Sequence, residues 1–343
     1  MSLPNLYDFS LAELTDFLAE QGEKPFRAKQ LYLWLYRKGE NDFAAMTDIP
    51  SASRVRLPEF ARADGLFLAE SLSSADGSTI KYLLGTDDSH YIETVFMKYK
   101  DRNSMCISTQ VGCRMGCKFC ASGKLGLKRN LTPAEMALEV ILTERAAGEK
   151  ARNVVLMGIG EPLDNFDAVK KFIENIADDH GRDMSRRAIT LSTCGLVPEM
   201  LRLAEELPQV NLAVSLHAPN DALRKEIMPI TNRYSVAEVV EATRKHYAAT
   251  HRRSTFEYTL IKGFNDSPAH AVELAALLRG MNCLVNLIPL NSENSYSRGP
   301  CPGSARNFRE ILGERGIPAT IRISLGADIE AACGQLRLRY ENE

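Results

Sequence analysis

Four cysteines of this 343-residue chain lie close together, at positions 106, 113, 117 and 120. Three of them, Cys113, Cys117 and Cys120, follow a C-x3-C-x2-C spacing, and clustered thiolates of this kind bind zinc or an iron–sulfur cluster. A structural zinc site takes a fourth ligand, usually from a second C-x2-C or H-x3-H pair, and the sequence has no such pair elsewhere. Three thiolates on a cubane cluster leave one iron open to a small molecule. The spacing therefore favours an iron–sulfur cluster over zinc, and over thiols that only pack in a core.

The composition is ordinary for a soluble globular protein, with 45% apolar and 25% charged residues. No segment approaches the roughly eighteen consecutive apolar residues of a membrane span, and the start, MSLPNLYDFS, lacks the features of a signal peptide. We therefore expect a cytoplasmic protein without a membrane partner, in which the eight cysteines do not form a disulfide framework and the clustered ones serve metal binding or catalysis. We also expect a monomer. The net charge of −2 gives no overall attraction to nucleic acid, so any RNA contact depends on local basic surface.

From residue 104 onward, β-rich segments alternate with helical ones. Apolar, β-rich runs occur in SMCISTQV, RNVVLMG, RAITLST, VNLAVSL, TFEYTLI and CLVNLIPL. Six strands separated by helical sequence predict an α/β fold with a parallel sheet. Polar or Gly/Pro motifs follow five of these strands, namely the cysteine cluster, GIGEP, STCG, SLHAPND and PLN. In barrel-like α/β folds the loops after the strands converge at one end, so we expect a single site there.

Three regions are expected along the chain. Residues 1–72 have helical periodicity, including a capping-box pattern at Ser10 and Glu13, and predict a small helical accessory domain. Residues 73–103 contain two alternating segments, IKYLLG and HYIETVFMKYK, which predict a β-hairpin extension. Residues 104–343 are expected to form the α/β domain, closed by a strand and a loop near the C-terminus.

The segment from Cys113 to Cys120 resembles the C-x3-C-x-aromatic-C signature of radical S-adenosylmethionine enzymes. The resemblance implies one 4Fe–4S cluster bound by Cys113, Cys117 and Cys120, whose open iron holds the amino and carboxylate groups of S-adenosylmethionine. One electron, from a donor such as flavodoxin, then cleaves the sulfonium and yields a 5′-deoxyadenosyl radical. Such enzymes have a partial (βα)6 TIM-like barrel, in agreement with the six predicted strands.

Further segments are similar to the RlmN type of dual-specificity RNA adenine C2-methyltransferase: EKPFRA (23–28), CISTQVGC (106–113), GIGEPL (158–163), SLHAPND (215–221), NLIP (286–289) and DIEAACGQL (328–336). The similarity covers nearly the whole chain. It implies methylation of carbon 2 of adenine 2503 in 23S ribosomal RNA and of adenine 37 in transfer RNA. A Cfr-like enzyme, which methylates carbon 8 of the same ribosomal adenine, is the first alternative, and Pro162 favours the RlmN type. A non-catalytic, metal-stabilised RNA-binding protein is the second.

The resemblance also implies a set of residues that bind S-adenosylmethionine. A carboxylate and a glycine backbone suit its ammonium group, and serine hydroxyls suit its sugar and carboxylate. The same residue types are common in turns, helix caps and packed cores, so a purely structural role is the alternative at each position. The implied residues are Gly160, Glu161, Ser192, Ser215, Leu216, His217 and Asn291.

Two cysteines and a glutamate are implied in the chemistry. Cys333 would carry a methyl group from a first S-adenosylmethionine, and a second would provide the radical that removes a hydrogen atom from it. The resulting carbon radical adds to carbon 2, which is too electron-poor to attack a sulfonium methyl directly. Glu93 would take the ring proton as general base, and the Cys106 thiolate would attack the sulfur of Cys333, releasing the RNA and leaving a transient disulfide. Buried core thiols and a solvated strand glutamate are the alternatives.

Local basic residues are the candidates for RNA contact. Most charge runs are simply solvated faces, and no aromatic-rich RNA motif is visible. An accessory domain that grips the shape of RNA through its phosphates would use such residues, while the target base is unstacked into the barrel. The candidates are Lys24, Arg27, Lys29, Lys124, Lys128, Arg129, Arg252 and Arg253.

Overall fold

Three helices form the N-terminal part of the molecule. The computed structural model describes residues 3–124, 126–289, 302–322 and 329. A complete capping box starts the first helix, because the Ser10 hydroxyl accepts from the Glu13 amide and the Glu13 carboxylate accepts from the Ser10 amide. The second helix continues as a π-helical segment and ends at Gly39, whose φ of 68° is the left-handed geometry of a C-cap. The elements are α1 (Leu11–Glu20), α2 (Arg27–Tyr32) with its extension (Leu33–Lys38), and α3 (Ser51–Phe60).

An antiparallel extension links these helices to the larger sheet. Its strands are β1 (Leu66–Ser73), β2 (Thr79–Thr86) and β3 (Tyr91–Lys98), and the expected hairpin corresponds to β2 and β3. Strand β1 runs across the expected boundary between residues 72 and 73. The sequence analysis missed this strand because most of its side chains are exposed and its apolar alternation is weak. Strand β3 pairs antiparallel with β4 (Asn103–Ile107), so the extension is continuous with the main sheet.

A short hairpin follows β4 and carries the first cysteine of the motif. It consists of β5 (Gln110–Cys113) and β6 (Gly126–Asn130), with the helical turn α4 (Ala121–Lys124) between them, and forms its own two-stranded sheet. The sequence analysis placed the whole motif in a loop, whereas Cys113 is the last residue of β5. A strand of four residues is too short to give a clear alternation in the sequence.

Six parallel strands form the partial (βα)6 barrel, which confirms the predicted fold class. They are β4, β7 (Asn153–Leu156), β8 (Ile189–Thr193), β9 (Asn211–Ser215), β10 (Ser254–Leu260) and β11 (Cys283–Pro289), adjacent in that order. A further parallel strand, β12 (Ala319–Ile321), pairs with β11. The helices of this part are α5 (Pro133–Ala147), α6 (Phe166–Ala177), α7 (Val197–Glu206), α8 (Asp221–Ile227), α9 (Val236–Thr250), α10 (Pro268–Leu277) and α11 (Pro302–Glu314). None of the described helices combines the length and apolar character needed to cross a bilayer.

Side chains of the barrel strands alternate between a packed face and an open interior. Met105, Leu156 and Leu191 are buried in the core. On the opposite face, side chains line an interior cavity of about 380 Å³, among them Ser104, Val155, Thr190, Asn211, Glu257 and Asn286. A barrel interior lined by hydroxyl, amide and carboxylate groups can hold a polar ligand.

Candidate active site

The cysteine motif is held at the end of β5 by close backbone packing. Cys113 is buried, and Cys117 and Cys120 are half-buried. The Cys120 amide donates to the Cys117 carbonyl at 3.1 Å, which closes a tight turn between these two ligand candidates. The Lys118 amide donates to the carbonyl of Ile227 at the end of α8, at 2.9 Å, so the motif also rests on this helix.

A glycine in front of the motif allows the hairpin to form. Gly112 has a φ of 81°, and a Cβ placed on it would lie 1.8 Å from the carbonyl oxygen of Gly126 on the paired strand. We expect Gly112→Ala to lower the free energy of unfolding by several times the loss from Gly77→Ala. Gly77 has a similar φ of 68° with open space around it, so alanine there meets only backbone strain of about 1–2 kcal/mol. Denaturant unfolding of the metal-free chains measures the difference, and equal losses would contradict the packing argument.

Two thiols of the motif, Cys113 and Cys117, are protonated until a metal binds them. Burial, together with the nearby Glu161, Cys120 and Asp164, raises the pKa of the Cys113 thiol to about 12. Burial also raises the pKa of Cys117, and so do its neighbours Cys120 and Cys113. Metal binding must therefore displace protons, and its affinity increases with pH.

The spacing of the three sulfurs fits a cluster better than a single zinc ion. One tetrahedral zinc, with Zn–S bonds of about 2.3 Å, holds its sulfurs within roughly 4 Å of one another. Across the described parts of the chain, the motif cysteines do not form a set whose sulfurs all lie within 4.8 Å. A 4Fe–4S cluster binds each thiolate to a different iron and spreads the sulfurs further apart. The donor set thus fits the iron–sulfur cluster.

The GIGEP loop after β7 packs directly on the start of the β5 hairpin. A Cβ on Gly160, whose φ is 113°, would lie 2.7 Å from the Cβ of Gln110, so only glycine fits there. The Glu161 amide donates to Gln110 Oε1 at 2.9 Å, and this glutamine was missed in the sequence analysis. Glu161 itself is buried, and burial raises the pKa of its carboxyl.

The Glu161 carboxylate is engaged by backbone amides. Its Oε2 accepts from the Cys194 amide at 2.8 Å, and its Oε1 accepts from the Leu163 amide at 3.1 Å. The carboxylate therefore fastens the loop after β7 to the loop after β8. That the loop backbone and the Glu161 carboxylate bind the amino group of a cosubstrate stays a prediction.

The ends of β8 and β9 bring two predicted serines together. Ser192 Oγ and Ser215 Oγ lie 3.5 Å apart and both are half-buried. The next residues, Leu216 and His217, donate their amides to the carbonyl of Glu257 on β10 at 3.1 and 3.2 Å. These bonds hold the end of β9 against β10, so the predicted residues of four loops face the same end of the barrel.

His217 connects the cysteine motif to the barrel as a neutral imidazole. Its Nδ1 accepts from the Thr259 amide at 2.9 Å, which leaves the ring proton on Nε2. Burial, together with the charge of Arg224, lowers the pKa of this histidine to about 3. The ring of Phe119, the aromatic residue of the motif, packs edge-to-face on the imidazole with centroids 4.8 Å apart. His217 can donate one hydrogen bond from Nε2 at any working pH.

Glu93 and Cys106 project from the same face of neighbouring strands. In the strand register, Leu83 pairs with Glu93, while Lys81 and Cys106 both pair with Val95. Since alternate residues share a face, the side chains of Lys81, Glu93 and Cys106 lie on one side of the sheet. Ser104, two residues before Cys106, lines the interior cavity, so this face is the inner one.

A buried ion pair holds Glu93, and its lysine was missed in the sequence analysis. Lys81 Nζ lies 3.4 Å from Glu93 Oε1, and the two side chains are 1% and 6% exposed. The sequence does contain a signal for this pair, namely a lysine inside the apolar segment IKYLLG. A lysine is rarely buried unless a carboxylate pairs with it, so its position predicts such a partner. Lys81 thus supplies the counter-charge that a buried carboxylate needs.

The predicted RNA contacts named here fall into three groups. Exposed lysines lie on the N-terminal helices and beside the cysteine motif: Lys24, Lys29, Lys124 and Lys128. Arg129 instead forms ion pairs with Asp88 and Glu135. Arg252 donates to Asn211 at the first residue of β9, so Arg252 and Arg253 lie at the opposite end of the barrel from the cysteines. Asn291 and Cys333 lie outside the described residues.

Comparison with known proteins gives two family matches. Residues 4–63 match the ribosomal RNA large subunit methyltransferase N-terminal domain, and residues 107–275 match the radical SAM superfamily. A protein of Desulforamulus reducens named probable dual-specificity RNA methyltransferase RlmN is 48% identical over 341 residues, covering 99% of this chain and 97% of the relative. A protein of the same name from Clostridium botulinum strain Hall is 47% identical, covering 98% and 99%. The crystal structure of a radical SAM methyltransferase from Sphaerobacter thermophilus superposes with a TM-score of 0.93 at 46% identity, covering 97% and 98%.

Proposed function

This chain belongs to the RlmN family of radical SAM methyltransferases, and from that membership we propose that it methylates carbon 2 of an adenine in RNA. The proposed substrates are 23S ribosomal RNA and transfer RNA, and the proposed setting is the cytoplasm. The observation that carries the proposal is the shared inner face of Glu93 and Cys106, on strands that lead into the cysteine hairpin. A metal site alone would not need a carboxylate and a fourth cysteine, beside the three proposed ligands, on that face.

The cofactor set follows from the residues at the barrel end. Cys113, Cys117 and Cys120 would bind three irons of a 4Fe–4S cluster, which leaves the fourth iron for S-adenosylmethionine. Bound together, these groups supply a 5′-deoxyadenosyl radical. The hydroxyls of Ser192 and Ser215, 3.5 Å apart, would donate to the sugar and carboxylate of the cosubstrate. Gly160, Glu161, Leu216, His217 and Asn291 complete the proposed contacts.

The methyl group would reach the RNA through cysteine. In the proposed sequence, Cys333 takes a methyl from one S-adenosylmethionine, and a second molecule is consumed to remove a hydrogen atom from that methyl. The carbon radical would form a bond to carbon 2 of the adenine and join protein and RNA through a thioether. The adduct radical would then give up one electron, which replaces the electron spent on the second S-adenosylmethionine, and Glu93 would take the proton from carbon 2. The Cys106 thiolate would attack the sulfur of Cys333 and break its bond to carbon; the released carbon takes a proton from solvent to become the methyl group, and the two cysteines are left as a disulfide that a two-electron reductant must reopen.

The N-terminal helices offer the proposed RNA surface. Phe26, at the start of α2, is 53% exposed, and the Arg27 guanidinium lies 4.9 Å from the centre of its ring. Lys24 and Lys29 are exposed on either side. Aromatic rings and guanidinium planes stack on unpaired bases, and lysines bind phosphates.

We expect Lys24→Gln and Lys29→Gln each to weaken RNA binding and to reduce the slope of log K against log salt by about 0.9. Each lysine that binds one phosphate releases about one counterion, so its loss changes the slope as well as the affinity. Fluorescence titration with a labelled transfer RNA at several salt concentrations gives both quantities. Lys245→Gln is the matched control, because Lys245 is also exposed but lies on α9, outside this surface. Equal slopes for all three variants would contradict the assigned surface.

The proposed function is tested by identifying the product. The chain is reconstituted with iron and sulfide, reduced by dithionite or by flavodoxin, and incubated with S-adenosylmethionine and each RNA. Hydrolysis to nucleosides and mass spectrometry should then give 2-methyladenosine. Formation of 8-methyladenosine would establish the Cfr-like alternative, and the absence of any methylated nucleoside from a brown, iron-loaded protein would favour a binding role.

A further inference from the structure

Arg224, on the short helix α8, is an arginine fully buried behind the cysteine motif. Its side chain is 0% exposed. Arginine is almost never fully buried unless it is paired, because removing a charge from water costs several kcal/mol. Nothing in the sequence of α8 signals this burial, and the residue was not among the predicted site residues.

The hydrogen bonds of Arg224 join three segments at the C-terminal end of the barrel. Nη2 donates to the carbonyl oxygens of Cys194 and Ser215, at 2.6 and 3.1 Å, after β8 and at the end of β9. Nε donates to the Leu216 carbonyl at 3.0 Å, and Nη1 donates to the Thr231 hydroxyl at 3.2 Å. All four of these acceptors are neutral oxygens. They satisfy the donors of the guanidinium, and its charge is only partly offset by Asp221, an exposed carboxylate at the start of the same helix.

Two thiols near Arg224 gain from its charge, beside the carboxylate of Asp221. Burial raises the pKa of the Cys117 thiol, and the charge of Arg224 acts in the opposite direction. Arg224 acts in the same way on Cys194, which is buried beside Glu161. Because the guanidinium cannot lose its proton in a protein, the positive charge stays fixed behind the motif.

We propose that Arg224 is a positioning residue that locks the loops behind the motif and, through its fixed buried charge, favours the reduced state of the cluster. Three thiolates give the bound cluster a net negative charge, which increases by one unit on reduction. A fixed positive charge in a low-dielectric interior stabilises the more negative state, so it raises the reduction potential. The inference rests on the proposed cluster site but not on the identity of the RNA substrate.

The test compares two substitutions of Arg224 with a matched control. Arg224→Met removes the charge and all four hydrogen bonds, whereas Arg224→Lys keeps the charge and loses part of the bonding. The control is Arg114→Gln, since Arg114 follows Cys113 directly but is 58% exposed and paired with Asp164. Each protein is loaded with iron and sulfide, its iron is counted, and the cluster is titrated with dithionite while the reduced form is followed by electron paramagnetic resonance.

We expect Arg224→Met to lower the ratio of reduced to oxidised cluster at a given potential at least tenfold, a shift of 59 mV for a one-electron couple. Arg224→Lys should shift the potential by less than half of this amount, and Arg114→Gln should give a smaller shift than Arg224→Lys. A wild-type potential in Arg224→Met, or an equal shift in Arg224→Lys, would overturn the role of the charge. Failure of both Arg224 variants to take up iron would make the residue a folding element and also overturn it. A wild-type protein without a redox-active cluster would instead refute the proposed function.

Discussion

A Cys106→Ala variant is expected to remain covalently attached to its RNA. In the proposed reaction the methyl carbon links Cys333 to carbon 2 of the adenine, and attack by the Cys106 thiolate is the step that breaks the link. Cys106 lies on β4, half-buried on the inner face of the barrel, the same face as Glu93. Alanine leaves the strand intact and removes the nucleophile. Denaturing electrophoresis with labelled RNA should show a band that resists heat and detergent, with a yield approaching one RNA per active chain.

Cys283→Ala is the matched control for this experiment. Cys283 is also a strand cysteine, but it is buried at the start of β11, at the opposite end of the barrel from the motif. This variant should release methylated RNA as the parent does. Release of methylated RNA by Cys106→Ala at the parent rate would refute the role assigned to Cys106.

Cys117→Ala is expected to abolish both iron binding and the cleavage of S-adenosylmethionine. With two thiolates left, the cluster loses one of three protein ligands and the motif cannot hold it. Iron per chain and the formation of 5′-deoxyadenosine should both fall to the background of the metal-free protein. Anaerobic reconstitution, iron analysis and chromatography of the nucleoside products measure the two effects.

The Cys194→Ala variant tests whether the cluster has three or four protein ligands. Cys194 is a buried thiol whose surroundings include Cys117 and Glu161, so it is the nearby candidate for a fourth ligand among the described residues. We expect this variant to keep its iron, because the fourth iron has to stay open for S-adenosylmethionine. Loss of iron on a par with Cys117→Ala would mean four protein ligands and no open iron.

Much of the framework follows from local sequence. The Ser10–Glu13 capping box, the six β-rich segments and the motifs after them predict the helical N-terminus, the parallel sheet and the end of the barrel at which Ser192, Ser215 and His217 meet. These features depend on short-range patterns, namely capping, periodicity and the convergence of loops after parallel strands. The catalytic assignment itself came from the resemblance to known enzymes rather than from those patterns.

The missed features depend on long-range packing. Lys81 becomes a partner of Glu93 only through the register of β2 and β3, and Gln110 meets Glu161 only when the loop after β7 packs on β5. Arg224 is buried because three loops direct their oxygens toward it. The contacts of Glu161 were also not predictable from the sequence. Its residue type suggests an ammonium partner, but in the structure its carboxylate accepts hydrogen bonds from two backbone amides. Neither composition nor spacing can reveal which surfaces close over a charged group.

The central claim is that the methyl group passes through cysteine and loses one hydrogen atom before it reaches the ring. The most direct measurement uses S-adenosylmethionine with a fully deuterated methyl group, followed by mass spectrometry of the methylated adenosine. One deuterium should be lost to 5′-deoxyadenosine and replaced by solvent hydrogen, so the product methyl carries two deuteriums. A product methyl that keeps all three deuteriums would show direct transfer from the sulfonium and would contradict the proposed mechanism.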